Sequence, residues 1–143
     1  MRERGRFLVP VDGSEASLRA VQMAASLARA TGGTIDLLHV SYFDEGTEAD
    51  PDVPTWLPEI LMPAKVSSED VFRRAERELD GIVFRKHRRT GTPAETIISF
   101  AKEAKDSVIV MGGRGLSPVR GFLLGSVSQS VMESFEGTVL IVK

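Results

Sequence analysis

The sequence predicts an α/β fold, an open, doubly wound, five-stranded parallel sheet with helices on both faces, and three observations predict it. The first forty residues alternate strand, helix, strand. The same alternation returns after residue 90. The apolar runs between helical segments are short and continuous, as expected of strands covered on both sides.

The elements follow in order. Phe7-Leu8-Val9-Pro10-Val11 is a short apolar run ending at the turn signal Asp12-Gly13-Ser14. Leu18, Val21, Ala25 and Ala28 then recur at helical spacing until Gly32-Gly33 stops the helix. Ile35–Val40 reads as the second strand and completes a βαβ unit, whose crossover is right-handed and whose strands are parallel. Ser67 caps a helix with Val71, Phe72, Ala75 and Leu79 facing inward. Residues Ile82–Thr90 read as a strand, and Arg85-Lys86-His87-Arg88-Arg89 places it at a solvated sheet edge, where such charges discourage edge pairing. These basic residues have no interleaved aromatics, so they make no stacking platform for nucleic acid. Thr92-Pro93-Ala94-Glu95 combines a capping threonine, proline at the first helical position and glutamate three residues after the cap. Ile97, Ile98 and Ala101 form that helix's apolar face. Ser107–Met111 reads as the fourth strand. A glycine-rich loop leads to Ser126-Val127-Ser128-Gln129, a capping-box pattern with Ser126 as cap, and Val127, Val131 and Phe135 continue the helical face. Val139-Leu140-Ile141-Val142 is the fifth strand. Proline avoids central strands, so Pro10 must lie where ladder pairing has ended.

The chain of 143 residues suits one domain, 1–143, with 43–66 as a variable loop insertion. That insertion carries Asp44, Glu45, Glu48, Asp50 and Asp52 among four prolines. It reads as a tolerated surface segment, or alternatively, through Trp56–Leu61, as a lid or partner-binding segment. Apolar residues make up 42% of the chain and the net charge is −2, which supports a folded domain and gives no electrostatic case for nucleic acid or an anionic membrane. With no cysteine, disulfides and thiolate metal sites are excluded; His39 and His87 form no recognisable metal pair. Met1-Arg2-Glu3-Arg4 has no signal-peptide pattern and no run approaches a membrane span, so a cytoplasmic location is expected.

In open parallel sheets, ligands sit outside the carboxyl ends of the strands, where the strand order reverses. Two such ends are suggestive: Pro10–Ser14, and the loop from Gly112-Gly113-Arg114-Gly115 to Gly125-Ser126. A helix start offers unpaired N–H groups and partial positive charge. Glycine permits close backbone approach to a ligand. Ser126 and Ser128 carry hydroxyls able to donate to phosphate, and Arg114 and Arg120 are either phosphate ligands or solvated loop charges. A P-loop is absent, and the Gly-x-Gly-x-x-Gly pattern fails because Pro118 stands at its third glycine. There is no Gly-x-Ser-x-Gly elbow either.

Gly112-x-x-Gly115, nine residues, then Gly125-Ser126 resembles the nucleotide-binding signature of the ATP-binding branch of universal stress proteins. Val9–Ser14 is similar to the family's opening strand and turn, Leu37–Val40 to its second strand, and Val110-Met111-Gly112 to its fourth. The resemblance implies a Rossmann-like sheet of order 3-2-1-4-5 and an ATP or AMP ligand, often with Mg or Mn held by the phosphates. It places Val40 at the adenine, and Pro10 and Asp12 beside the nucleoside. Met111, Gly112, Arg114 and Gly115 fall around the ribose and phosphates, and Gly125, Ser126, Val127 and Ser128 at the phosphate-cradling helix start. It also implies a homodimer through the last strand, Val139–Val142, and a regulatory role in the stress response read by a protein partner. A slow metal-dependent ATPase and a nucleotide-free interaction domain are the competing functions. Ser107 and Thr138 depart from the family's usual aspartate and proline.

Overall fold

The computed structural model describes residues 5–41, 67–106, 108–113 and 124–143. Strand and helix alternate through it: β1 (Arg6–Pro10), α1 (Glu15–Thr31), β2 (Thr34–Ser41), α2 (Ser68–Glu76), β3 (Phe84–Thr90), α3 (Pro93–Ala104), β4 (Val108–Gly112), α4 (Ser126–Ser134) and β5 (Thr138–Val142). The strands form one parallel sheet in the order β3-β2-β1-β4-β5.

The period-2 side-chain alternation of β1 explains why helices cover both faces. Phe7, Val9 and Val11 point one way, into a core shared with Val21, Ala24 and Ala28 of α1 and Val71, Phe72 and Ala75 of α2. Leu8 points the other way and joins Leu38, Ile109 and Met111 against Ile97, Phe100 and Ala101 of α3 and Val131 of α4. Ten of the buried core residues have 0% exposure, among them Leu8, Val9, Leu37, Leu38, Ile109 and Val110. Burying a leucine, isoleucine or valine side chain stabilises by about 1.5–3 kcal/mol, so this three-strand centre anchors the fold.

Helix ends follow local chemistry. Ser14 caps α1, its hydroxyl accepting from Ser17 N–H at 3.1 Å. Gly32 ends that helix in the left-handed region, φ 71°, donating its N–H to Ala28. Ser67 caps α2 as the sequence predicts, and its oxygen accepts from Glu69 N–H at 3.2 Å. Thr92 caps α3 without a side-chain hydrogen bond, and Pro93 opens that helix. Two helices end earlier than their apolar pattern. Leu79 lies past the end of α2 yet is 2% exposed, and Phe135 is already extended at the end of α4. Burial of an apolar side chain does not require that its backbone be helical.

The edge positions match the reading of the charges. β3 pairs only with β2 among the described strands, and most of its residues are exposed. β5 is the opposite edge, paired with β4. Strand bounds differ from expectation by one or two residues, Ile82 and Val83 lying before β3. Ser107 and the whole 43–66 insertion, including Trp56–Leu61, lie outside the described residues. Among the described residues no helix is long and apolar enough to cross a membrane.

Pro10 requires a correction. It is still in register with Leu38 of β2, so pairing on that side has not ended. Pairing on the other side has, because β1 meets β4 only at Phe7 and Leu8. Val11 donates its N–H to Leu38 at 2.8 Å, so by alternation the nitrogen of Pro10 faces β4. The missing donor therefore falls where no ladder bond is needed.

Candidate functional site

The strand order reverses between β1 and β4, and these two strands separate beyond Leu8 and Ile109. Three chain segments gather at the resulting crevice: the turn after β1, the end of β4 and the start of α4.

The turn after β1 is built by its own side chains. Asp12 Oδ1 accepts from Ser14 N–H at 2.9 Å, the short local bond that lets aspartate shape a turn. Ser17 Oγ donates back to the Ser14 carbonyl at 2.9 Å. Gly13 has φ 86°, a conformation that favours glycine.

The end of β4 lies between two helix starts. A Cβ on Gly112 would come within 2.7 Å of the Ala16 backbone and side chain in the first turn of α1. Glycine at 112 is thus required by helix–strand packing, before any ligand is considered. On the other face the start of α4 is tied down by two bonds. Gly125 N–H is given to the Gly113 carbonyl, and Ser128 Oγ donates to the Gly112 carbonyl at 2.7 Å. Gly113 N–H goes to Val142 of β5, so the Gly112 carbonyl faces the β1 side, where the ladder has ended and Ser128 supplies the donor.

This arrangement alters the predicted helix cap. Gln129 N–H bonds the Gly125 carbonyl at 3.0 Å, which makes Gly125 the cap and Ser126 the first helical residue. The Gln129 side chain turns to Glu133, 3.1 Å away, so no capping box forms. With no side-chain cap, the N–H groups of Ser126, Val127 and Ser128 begin the helix without intrahelical partners. The first turn of α4 holds no acidic residue, whereas α1, α2 and α3 each carry at least one there. No carboxylate of its own first turn compensates its positive end.

The other residues singled out by sequence have distinct positions. Pro10 and Val40 are half-buried at the carboxyl ends of adjacent strands, with Val40 packed on the α3/α4 core. Met111 is 5% exposed and its side chain belongs to that same core. Val127 also packs there. Ser126 is exposed, whereas Ser128 is 3% exposed with its hydroxyl proton committed to Gly112. Arg114, Gly115 and Arg120 lie outside the described residues. Sequence reading found no partner for His39; its Nδ1 lies 2.6 Å from Ser68 Oγ, a contact between residues 29 apart that no local pattern reveals.

Comparison with known proteins matches this geometry to a family. Residues 3–143 match the sequence model of the Universal stress protein family. The universal stress protein YxiE of Bacillus subtilis is 30% identical over 145 residues, spanning 96% of this chain and 98% of that one. A universal stress protein crystallised in complex with cAMP is 27% identical and superposes with TM-score 0.71, covering 97% of this chain and 96% of the other. The universal stress protein UspA from Lactobacillus plantarum has the same fold, at TM-score 0.78 and 22% identity over 100% of both chains. The chain belongs to the universal stress protein family.

Proposed function

We propose that this protein binds an adenine nucleotide, ATP or AMP, in the crevice between β1 and β4, and acts as a nucleotide-dependent regulatory module. The observation that carries the reading is the start of α4. Its three leading N–H groups have no side-chain cap and no acidic neighbour in the first turn, and they lie beside the strand-order reversal. A helix end contributes about 0.3–2 kcal/mol to holding an anion, so loop amides and charges supply the remainder. The similarity to a protein crystallised with cAMP supports an adenine nucleotide as the ligand class.

In this reading the N–H groups of Ser126, Val127 and Ser128 and the Ser126 hydroxyl hold phosphate, with Arg114 and Gly115 completing the cradle. The Ser128 hydroxyl is already used and contributes position rather than a phosphate contact. Pro10 and Asp12 border the nucleoside, and Asp12 offers Oδ2 because Oδ1 is occupied by Ser14. Val40 supplies backbone to the adenine. Met111 acts through its backbone, since its side chain lies in the core. A Mg or Mn ion would be held by the phosphates.

The signalling unit is a homodimer joined along β5. Its Val139–Val142 run is half-buried at the sheet edge, where unpaired backbone groups template a second strand. Sedimentation at tens of micromolar protein should give a dimer; a monomer there removes this part of the proposal.

Thermal unfolding with ATP, AMP and GTP, each with and without magnesium, tests the nucleotide reading. Ligand at a hundred times its Kd adds about 2.7 kcal/mol. For a domain of this size that raises the midpoint by roughly 5–11 °C. A rise with adenine nucleotides and none with GTP is expected. No rise with any nucleotide at millimolar concentration refutes the proposal.

A further inference from the structure

At the amino end of the sheet, away from the nucleotide crevice, four ionisable side chains from four parts of the chain meet on the α3/α4 face. Asp36 of β2 is 4% exposed and accepts from Arg6 Nη2 of β1 at 3.2 Å. Its other oxygen lies 3.1 Å from His87 Nε2 of β3. The fourth group is Asp106, in the connection between α3 and β4; its side chain is fully buried. Arg6 Nε reaches only to 3.8 Å from Asp106 Oδ1, an ion-pair distance rather than a hydrogen bond.

Neither Asp106 oxygen accepts a hydrogen bond from any described donor. An ionised carboxylate is acceptor-only, and burying one without donors costs several kcal/mol. Arg6 reaches both carboxyls, Asp36 through Nη2 and Asp106 through Nε, so a second group that only accepts when ionised shares the site. Two acceptors make no bond; a single proton between them makes one. The charge count agrees. With both acids ionised and the His87 ring neutral, Arg6 alone leaves an excess negative charge in a buried site; one retained proton makes the pair and Arg6 neutral together, whereas a charged His87 would balance both carboxylates.

We propose that Asp36 and Asp106 share one proton at neutral pH, and that this proton, with Arg6 and His87, latches the α3–β4 connection onto β1, β2 and β3 until alkaline pH removes it. Burial, then the hydrogen bond to Asp36 and the Asp36 charge, push the Asp106 carboxyl up to about 8, against the pull of Arg6. For Asp36, burial alone would raise the pKa. The hydrogen bonds with Asp106 and His87 and the charges of Arg6 and His87 outweigh it and hold Asp36 below the usual carboxylate range. The upper titration step belongs to the pair. Other charges nearby are exposed: Arg85, in register with Asp36 on β3, and Lys102 and Lys105 at the end of α3. Arg89 lies over the Phe100 ring, which also meets the His87 ring at a tilt, with centroids 4.6 Å apart.

The sign is fixed by linkage. A carboxyl whose pKa is raised in the folded state binds its proton there while the unfolded chain has lost it, so stability falls as pH rises from about 4 to about 8. Asp36 acts oppositely, with stability lost as pH falls below the ordinary carboxylate range. Asp106→Asn supplies a permanent donor to Asp36 and removes the upper step. Each retained proton changes the folding equilibrium tenfold per pH unit at most. The wild-type folding constant, relative to that of Asp106→Asn, should therefore fall by about tenfold or more between pH 5 and 7, measured by urea unfolding. A smaller fall overturns the proposal. Carboxyl-carbon NMR of the wild type decides the matter even if the variant does not fold. One step of the pair centred at or above pH 7 is expected, and both steps below pH 7 overturn it. Amide exchange at Val108 and Ile109 should accelerate between pH 7 and 9 beyond its intrinsic pH dependence in the wild type. Exchange that keeps only the intrinsic dependence refutes the latch.

Discussion

Replacing Ser128 by alanine separates two roles that one hydroxyl cannot fill together. The Ser128 side chain is buried at the start of α4, and its oxygen lies 2.7 Å from the Gly112 carbonyl. That carbonyl faces the side of β4 where the ladder with β1 has ended, so no strand replaces the lost donor. The net worth of a hydrogen bond is about 0.5–1.5 kcal/mol, and stranding a buried acceptor costs about 1–3 kcal/mol. Ser128→Ala should thus destabilise by about 1–3 kcal/mol. At about 2–4 °C per kcal/mol the midpoint falls by roughly 2–12 °C in differential scanning calorimetry. Nucleotide affinity measured on the folded protein by isothermal titration should change by less than about threefold, because the backbone N–H remains. Ser126→Ala gives the opposite pattern. Its hydroxyl is exposed, so stability should hold, while losing a hydrogen bond to a charged phosphate, about 1.5–3 kcal/mol, weakens binding about tenfold or more. An unchanged midpoint together with abolished binding in Ser128→Ala would refute this division of roles.

Three further outcomes are expected. Gly112→Ala drives a methyl against the Ala16 backbone and should destabilise by about 1–3 kcal/mol in urea unfolding, with part of the loss recovered if an Ala16→Gly change relieves the side-chain share of the clash. Ser68→Ala removes the 2.6 Å partner of His39 Nδ1 in a buried site and should cost about 1–3 kcal/mol by the same measurement. Gly32→Ala forces a side chain into the left-handed region at the end of α1 and should lower stability by about 1 kcal/mol.

What the sequence made legible was local or periodic. The run Val108–Met111 marks a strand covered on both faces because both faces require apolar residues, and Arg85–Arg89 marks an edge because only an edge solvates so much charge. Gly32 and Ser67 act at helix ends as their chemistry dictates. The glycines around the crevice were visible as a pattern, but their reasons were not. Gly112 is small for the sake of Ala16, and Gly125, not Ser126, caps α4 because its carbonyl accepts the first helical N–H, from Gln129. The Ser128 hydroxyl reads in the sequence as a phosphate donor, and the fold gives it an acceptor 16 residues away. The Asp36–Asp106 pair left no trace in any window, since its members are brought together only when the sheet and α3 are both in place. Non-local contacts are invisible to periodicity for that reason.

The bond from Gly125 N–H to Gly113 closes the ends of the segment between them, and this has an evolutionary consequence. A loop whose ends are pinned can be rewritten in sequence and length without moving its supports. Closure entropy grows only logarithmically, so doubling the number of residues between the two glycines would cost about 0.6 kcal/mol. A single mutation elsewhere commonly costs more than that. Selection can therefore rewrite the residues between the two glycines while the start of α4 and the end of β4 hold still, which separates the inheritance of the scaffold from the drift of the segment it carries.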